Sequence, residues 1–308
     1  MEYIIVGTVF LFGLAAGSFL NAFLYRMALA DGLENGPKDA ETSISKGRSY
    51  CPKCGHKLSW QNLIPLVSFV LLGGKCGHCK KPVSFQYPLV ELAVGLVFLL
   101  AWYLAASGEV IHTLTGLRIG YLAAVGSLLI GIFVYDLKHF IIPDKLIFSA
   151  IGLAVLWRIF EFLFALTSVE GWLEPWDFIR NFELGIRNSA LFINPLASAL
   201  GASFFFLSIY VLSKGRAMGF GDVKLAFFMG LFLGWPNILV ALFFAFFLGA
   251  VAGVFLILQK KKGWRSQVPF GPFLVAGVLF ALLFGDTLAR LYLSLIGWQV
   301  YNDVIIIL

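Results

Sequence analysis

Long apolar runs separated by short polar ones restrict the folds open to this chain more than any single motif does. About 20 apolar residues are needed for a helix to cross the hydrocarbon of a bilayer. Eight such spans are predicted, over residues 3–25, 88–106, 117–135, 146–166, 189–212, 223–233, 238–258 and 270–284. The sixth, between Asp222 and Trp235-Pro236, is short. It reads as a tilted helix or as one half of a broken helix that continues from residue 238. Composition agrees: charged residues make up 13% and hydrophobic residues 60%, against about 25% charged in soluble domains. The expected fold class is an all-α polytopic membrane protein with about eight transmembrane helices. The first span opens at Tyr3 with no small-residue cleavage site before a mature domain, so it is expected to stay in the chain.

Loop charge orients the spans. Of 23 Lys and Arg, only Arg118, Arg158, Arg180, Arg187 and Arg290 fall outside the segments that follow spans one, three, five and seven. Cytoplasmic loops carry the excess of Lys and Arg, so those four segments are expected in the cytoplasm and both termini outside. An even number of spans requires the termini on one side, in agreement. Residues 1–25 then form the first helix and 26–87 a cytoplasmic domain. Residues 88–286 form the membrane core, with an external loop at 167–188 whose Trp and Phe suit the outer interface. Residues 287–308 read as an amphipathic or membrane-associated tail, or as a ninth membrane element.

All four cysteines lie in the cytoplasmic segment, as Cys51-Pro-Lys-Cys54 and Cys76-Gly-His-Cys79. A C-x2-C pair forms a knuckle that offers two thiolates to one metal, and two knuckles complete a tetrahedral zinc site. Disulfides are the competing reading, and a cytoplasmic placement counts against them. Four cysteines leave no coordination position open, so the zinc is expected to be structural. It would staple a segment with few apolar residues. His56 and His78 each adjoin a better ligand and are left out of the predicted set.

Two aspartates stand at ends of spans. Asp222 closes Gly219-Phe220-Gly221-Asp222, just ahead of Lys224 and a long apolar run. Taken alone it reads as a helix N-cap, with the glycines giving room for close backbone approach. Yet a carboxylate at the start of a membrane helix is a functional-site candidate by its cost in hydrocarbon. Asp136 ends the third span at the same membrane level. By itself it reads as a solvated helix end paired with Lys138. Two facing carboxylates repel when both are ionised and share a proton. That arrangement suits aspartyl proteolysis: one carboxylate takes a proton from water, the other donates to the scissile carbonyl oxygen. Asp144, after Pro143, reads more simply as the N-cap of the next span, and His139 as an interfacial polar filler.

Further motifs surround these residues. Gly17-Ser18-Phe19-Leu20-Asn21 and Arg26 lie in or just after the first span, and Gly47-Arg48-Ser49 precedes the cysteines. Asn62-Leu63-Ile64-Pro65-Leu66-Val67-Ser68 and Leu72-Gly73-Gly74-Lys75 fill the stretch between the pairs. Tyr87-Pro88-Leu89-Val90-Glu91 and Pro269-Phe270-Gly271-Pro272-Phe273 follow. Together and in this order, these residues resemble the bacterial type IV prepilin peptidases, membrane aspartyl proteases of the GxGD type. The resemblance implies removal of the basic leader from prepilins and pseudopilins at the inner face of the bacterial inner membrane, with Asp136 and Asp222 catalytic. Gly219, Gly221, Lys224 and Asp144 would support the motif. It implies a second activity in many members, N-methylation of the new N-terminus with S-adenosylmethionine, associated with the cytoplasmic domain and the stretch beside it. Gly17, Asn21, Arg48 and Glu91 are possible contributors, with packing or capping roles equally open. Membrane lipid and the type IV pilus or type II secretion machinery are the implied partners, and no nucleic-acid partner is expected. The external loop and the tail are longer than the resemblance would lead one to expect.

Three other readings compete. A peptidase without the methyltransferase fits the same motifs. A proton- or cation-coupled transporter would use intramembrane carboxylates, but it predicts inverted repeats, which the sequence lacks. A zinc protease needs an open metal position and a motif such as H-E-x-x-H, also lacking.

Overall fold

The computed structural model describes residues 2–34, 49–106, 112–167, 178–259, 268–295, 298–301 and 304–307. Arg48, residues 168–177 of the predicted external loop, and Lys260, Lys261, Lys262 and Arg265 lie outside them. Nine α-helices occur among the described residues: α1 (Glu2–Ala30), α2 (Val67–Leu71), α3 (Gln86–Ala106), α4 (His112–His139), α5 (Asp144–Thr167), α6 (Phe178–Leu212), α7 (Phe220–Leu233), α8 (Asn237–Leu258) and α9 (Gly271–Leu295). A short antiparallel ribbon, β1 (Trp298–Tyr301) and β2 (Val304–Ile307), ends the chain.

Among the described residues, seven helices are long and apolar enough to cross a membrane, and α7 is the short eighth. At 1.5 Å per residue its 14 residues cover about 21 Å, less than the ~30 Å of hydrocarbon. It turns at Gly234, which has φ 68° and donates its N–H to the Gly230 carbonyl at 2.9 Å, and α8 starts afresh at Asn237. The helical run thus breaks over Gly234-Trp235-Pro236. A short helix is tolerated at membrane depth when protein rather than lipid encloses it. That is its situation: Val223, Leu225, Ala226, Phe228, Met229, Leu231 and Phe232 are all buried, under α5, α6 and α9. Arg158 of α5 donates Nη2 to the Phe232 carbonyl at 2.7 Å and Nε to Leu231 at 3.2 Å, which satisfies the orphan carbonyls at the end of α7.

Several boundaries differ from the sequence expectation. Helix α1 runs five residues past the predicted end, and α4 continues through Asp136 to His139. The stretch read as an external loop becomes helical from Phe178, and α9 continues through residues 287–295 rather than ending at Phe284. A helix is not obliged to stop where its apolar run stops. Once nucleated, it propagates through adjacent polar residues at low cost.

The chain divides into two compact units, Met1–Tyr135 and Asp136–Leu308. In the first, α1 packs along α3, and the four-cysteine segment lies between them in sequence. In the second, α7 sits at the centre, and α8 pairs with α9 through stacked rings such as Phe244–Phe280 at 3.4 Å.

Candidate active site

The second unit holds both aspartates. Asp136 occupies the last turn of α4, and the chain then leaves the helix sharply: Phe140 has φ 59° and donates its N–H to the Asp136 carbonyl at 2.9 Å. Ile141, Ile142 and Pro143 lead to α5, which starts at Asp144. Asp222 lies in the first turn of α7. Its Oδ2 accepts the N–H of Gly219 at 3.2 Å, the residue just ahead of the helix. Asp222 is therefore not the N-cap, which is Gly219; it caps back from the third helical position, because α7 starts three residues earlier than predicted.

Both side chains are buried, Asp136 at 4% and Asp222 at 7% exposure. Each takes one backbone N–H from a glycine, Gly219 for Asp222 and Gly271 for Asp136, the latter at 3.0 Å. Gly271 is the first residue of α9, so an orphan N–H of that helix start finds its acceptor in Asp136. Gly221 has a different task. A Cβ on it would lie 2.9 Å from Ile142 Cβ, so its bareness lets the first turn of α7 close on the segment after Asp136. Asp144 and Lys224 join the same two segments through an ion pair at 2.5 Å, with the ammonium 5.1 Å from the Phe148 ring and 5.4 Å from Phe220.

The two carboxylates line one open cavity of about 600 Å³. Phe140, Ile141, Ile142, Phe220 and Phe270 supply apolar wall, and Arg216 and Lys224 supply charge. His139 is not among the lining residues. Chemically, two buried acids lining one open space are an arrangement that can exchange a proton with what enters it.

The first unit holds the cysteines, two on each of two similar knuckles. Cys51 donates its N–H to His56 and accepts from Gly55; Cys76 does the same with Lys81 and Lys80, at 2.9–3.0 Å. The residue after each second cysteine has positive φ, 68° at Gly55 and 57° at Lys80. All four Sγ lie within 4.8 Å of one another. A tetrahedron with metal–sulfur bonds near 2.3 Å needs sulfurs about 3.8 Å apart, so the set fits a metal ion with at most a contraction of about 1 Å. Backbone N–H groups of Cys79 and His78 hold the Cys76 thiol down to about 7, which favours the thiolate a metal requires. Neither His56 nor His78 belongs to this cluster; their rings stack on each other at 4.3 Å. Changing Cys51 and Cys76 together to Ser is expected to remove bound zinc, read by elemental analysis of purified protein. Unchanged zinc content would refute the four-cysteine site.

Sequence reasoning did not find the role of Gly271. The signal was present in Pro269-Phe270-Gly271-Pro272-Phe273, a glycine before a helix-starting proline, but nothing local tied it to Asp136. Nor did it find Asn21, Tyr87 and Glu91 as one group. In the structure Asn21 Nδ2 donates to the Tyr87 carbonyl at 2.9 Å, and Glu91 Oε2 accepts the Leu66 N–H at 2.9 Å.

Fold and site together define a polytopic membrane protein with a buried carboxylate pair. Comparison with known proteins narrows this. The family described as Bacterial Peptidase A24 N-terminal domain matches residues 11–105, and the Type IV leader peptidase family matches residues 123–254. The prepilin leader peptidase/N-methyltransferase of Pseudomonas aeruginosa is 30% identical, over 94% of this chain and 93% of its own. Those of Aeromonas hydrophila and Legionella pneumophila are 29% and 28% identical, over 96% and 95% of this chain and 96% and 94% of their own. No solved structure matches. This chain belongs to the prepilin leader peptidase/N-methyltransferase family.

Proposed function

We propose that the protein cleaves the leader from type IV prepilins and pseudopilins and methylates the new N-terminal residue, with Asp136 and Asp222 as the catalytic pair. The observation that carries the reading is the meeting of these two buried carboxylates on one cavity in a chain of this family. One carboxylate, ionised, takes a proton from water, and the oxygen attacks the scissile carbonyl. The other, protonated, donates to the carbonyl oxygen. Gly219 and Gly271 keep the pair aimed, and the apolar wall receives the residues flanking the cut. Lys224 and Asp144 hold the start of α7 against the segment between α4 and α5.

The protein is a multi-pass protein of the bacterial inner membrane, and the site is assigned to the cytoplasmic face by the loop charges. A prepilin with a basic leader in the cytoplasm and an apolar helix in the membrane puts its scissile bond at that level. The enzyme's own cytoplasmic loops are basic, so long-range attraction is not what recruits the leader. Carboxylates at the rim, including Asp144, are the better partners. The four cysteines hold a structural zinc that gives the polar segment a core it otherwise lacks. S-adenosylmethionine, when bound, supplies an electrophilic methyl group for the amine.

The test incubates purified protein with a prepilin and labelled S-adenosylmethionine, and reads both products by mass. Leader loss together with a gain of one methyl group supports the reading. Cleavage without methylation would reduce it to a peptidase. An intact prepilin would overturn it.

A further inference from the structure

Among the described residues, four buried polar side-chain atoms lack a hydrogen-bond partner: Asn21 Oδ1, the Tyr25 and Tyr50 hydroxyls, and Asn237 Oδ1. The first three belong to one place in the first unit. Asn21 and Tyr25 stand one turn apart on one face of α1. Asn21 uses its Nδ2 on the Tyr87 carbonyl of α3, and its Oδ1 has nothing. The Tyr25 ring meets Tyr50 edge to face at 6.1 Å, and Tyr50 adjoins the first zinc knuckle at Cys51. One turn beyond Tyr87, Glu91 accepts the Leu66 N–H at 2.9 Å and a hydrogen bond from Ser18. Gly17 lets the helices close here, since a Cβ on it would lie 2.7 Å from Glu91 Cα. The result is a rigid frame with unmet hydrogen bonds inside it.

Buried polar atoms in folded proteins are nearly always paired, with protein or with something bound. Asn21 is only 4% exposed, so bulk water does not serve it. The unmet groups also have a chemical character. An amide oxygen accepts only, and a phenol donates or accepts. Two tyrosine rings offer π faces that attract cations, methylated ones in particular. A phosphate, which needs N–H donors and positive charge, is a poor match for an amide oxygen. A ligand with O–H or N–H donors beside a positive centre is a good one.

We propose that Asn21, Tyr25 and Tyr50 form the binding site for S-adenosylmethionine. A hydroxyl or amine of the ligand donates to Asn21 Oδ1, its other polar groups pair with the unmet Tyr25 and Tyr50 hydroxyls, and its sulfonium lies against the tyrosine rings. Glu91 and Gly17 act as positioning residues that fix the frame. The proposal rests on the methyl-transfer reading above. It agrees with the division of the chain, because the carboxylate pair lies in the second unit and all five of these residues lie within 11–105, the stretch that matches the other family description.

The test uses full-length protein with its zinc. Binding of radiolabelled S-adenosylmethionine is measured at equilibrium for the unaltered protein, Asn21→Leu, Tyr25→Phe and Tyr50→Phe. Leader cleavage is measured alongside. Asn21→Leu is expected to weaken binding at least about tenfold, as loss of a buried hydrogen bond to a ligand should. Each Phe variant is expected to weaken it about threefold or more, with cleavage at the unaltered rate. The Phe variants keep the ring and remove only the hydroxyl, so they decide the matter if Asn21→Leu does not fold. Unchanged binding in all folded variants would mean that the cluster holds water only, and would overturn the proposal. An unaltered protein that neither binds the donor nor methylates would instead overturn the methyl-transfer reading on which the proposal rests.

Discussion

Asp222→Asn and Asp136→Asn are each expected to lower leader cleavage by at least about 10³-fold, in a protein that still folds and still binds zinc. The substitution is chosen for what it preserves. Asparagine matches aspartate in size, and its Oδ1 can still accept the N–H of Gly219 or of Gly271. What it removes is the ability to take up and release a proton. General acid–base catalysis contributes 10²–10⁴-fold per group, and the two members of a pair that share one proton fail together rather than additively. The double variant is therefore expected to be no slower than either single one. Cleavage is read by gel shift of a prepilin, and folding by thermal melt and zinc content. Substantial residual cleavage in a folded Asp222→Asn protein would sink the carboxylate pair as the catalyst.

How much of this was legible in the sequence depends on the range of the interaction that decides each feature. The long spans were legible because lipid imposes its demand locally: each stretch of about 20 apolar residues must satisfy its own backbone. The knuckles were legible because two cysteines on either side of two residues form a local turn with a known purpose. Helix α7 was legible as an apolar run but not as a stable short helix, since its enclosure by α5, α6 and α9 is tertiary. The start of α6 at Phe178 was hidden because its first residues mix Phe and charge, a pattern equally suited to an interfacial loop. In the site, Asp136 and Asp222 stood out one at a time as costly carboxylates. The partner of Asp136 did not, because Gly271 is far from it in the chain, and in the first unit Tyr87 is likewise far from Asn21. The job foreseen for Gly221, to admit backbone near the carboxylate, becomes a closer fit with Ile142, which no local pattern announces.

Gly271→Ala is the prediction that separates alignment of the pair from its mere presence. A Cβ on Gly271 would lie 2.5 Å from Asp136 Oδ2, 3.2 Å from its carboxyl carbon and 3.3 Å from Ile142 Cδ1. The first contact is about 1 Å too close for unbonded atoms, so either the carboxylate or the start of α9 must shift. Both shifts lengthen the hydrogen bond that aims Asp136, while leaving both carboxyl groups in the protein. A misplacement of about 1 Å costs on the order of 10²-fold in rate. Cleavage by Gly271→Ala is therefore expected to fall about 10²-fold, in kcat more than in KM, because the apolar wall that binds the substrate is kept. A general loss of stability would instead reduce the amount of active protein, and active-site titration would reveal it as unchanged turnover per active molecule. The double variant Asp136→Asn/Gly271→Ala closes the cycle. If Gly271 acts by holding Asp136, the second change adds nothing once the carboxylate is gone. Full activity in Gly271→Ala, or losses that multiply in the double variant, would detach Gly271 from Asp136 and leave the orientation of that carboxylate to other groups.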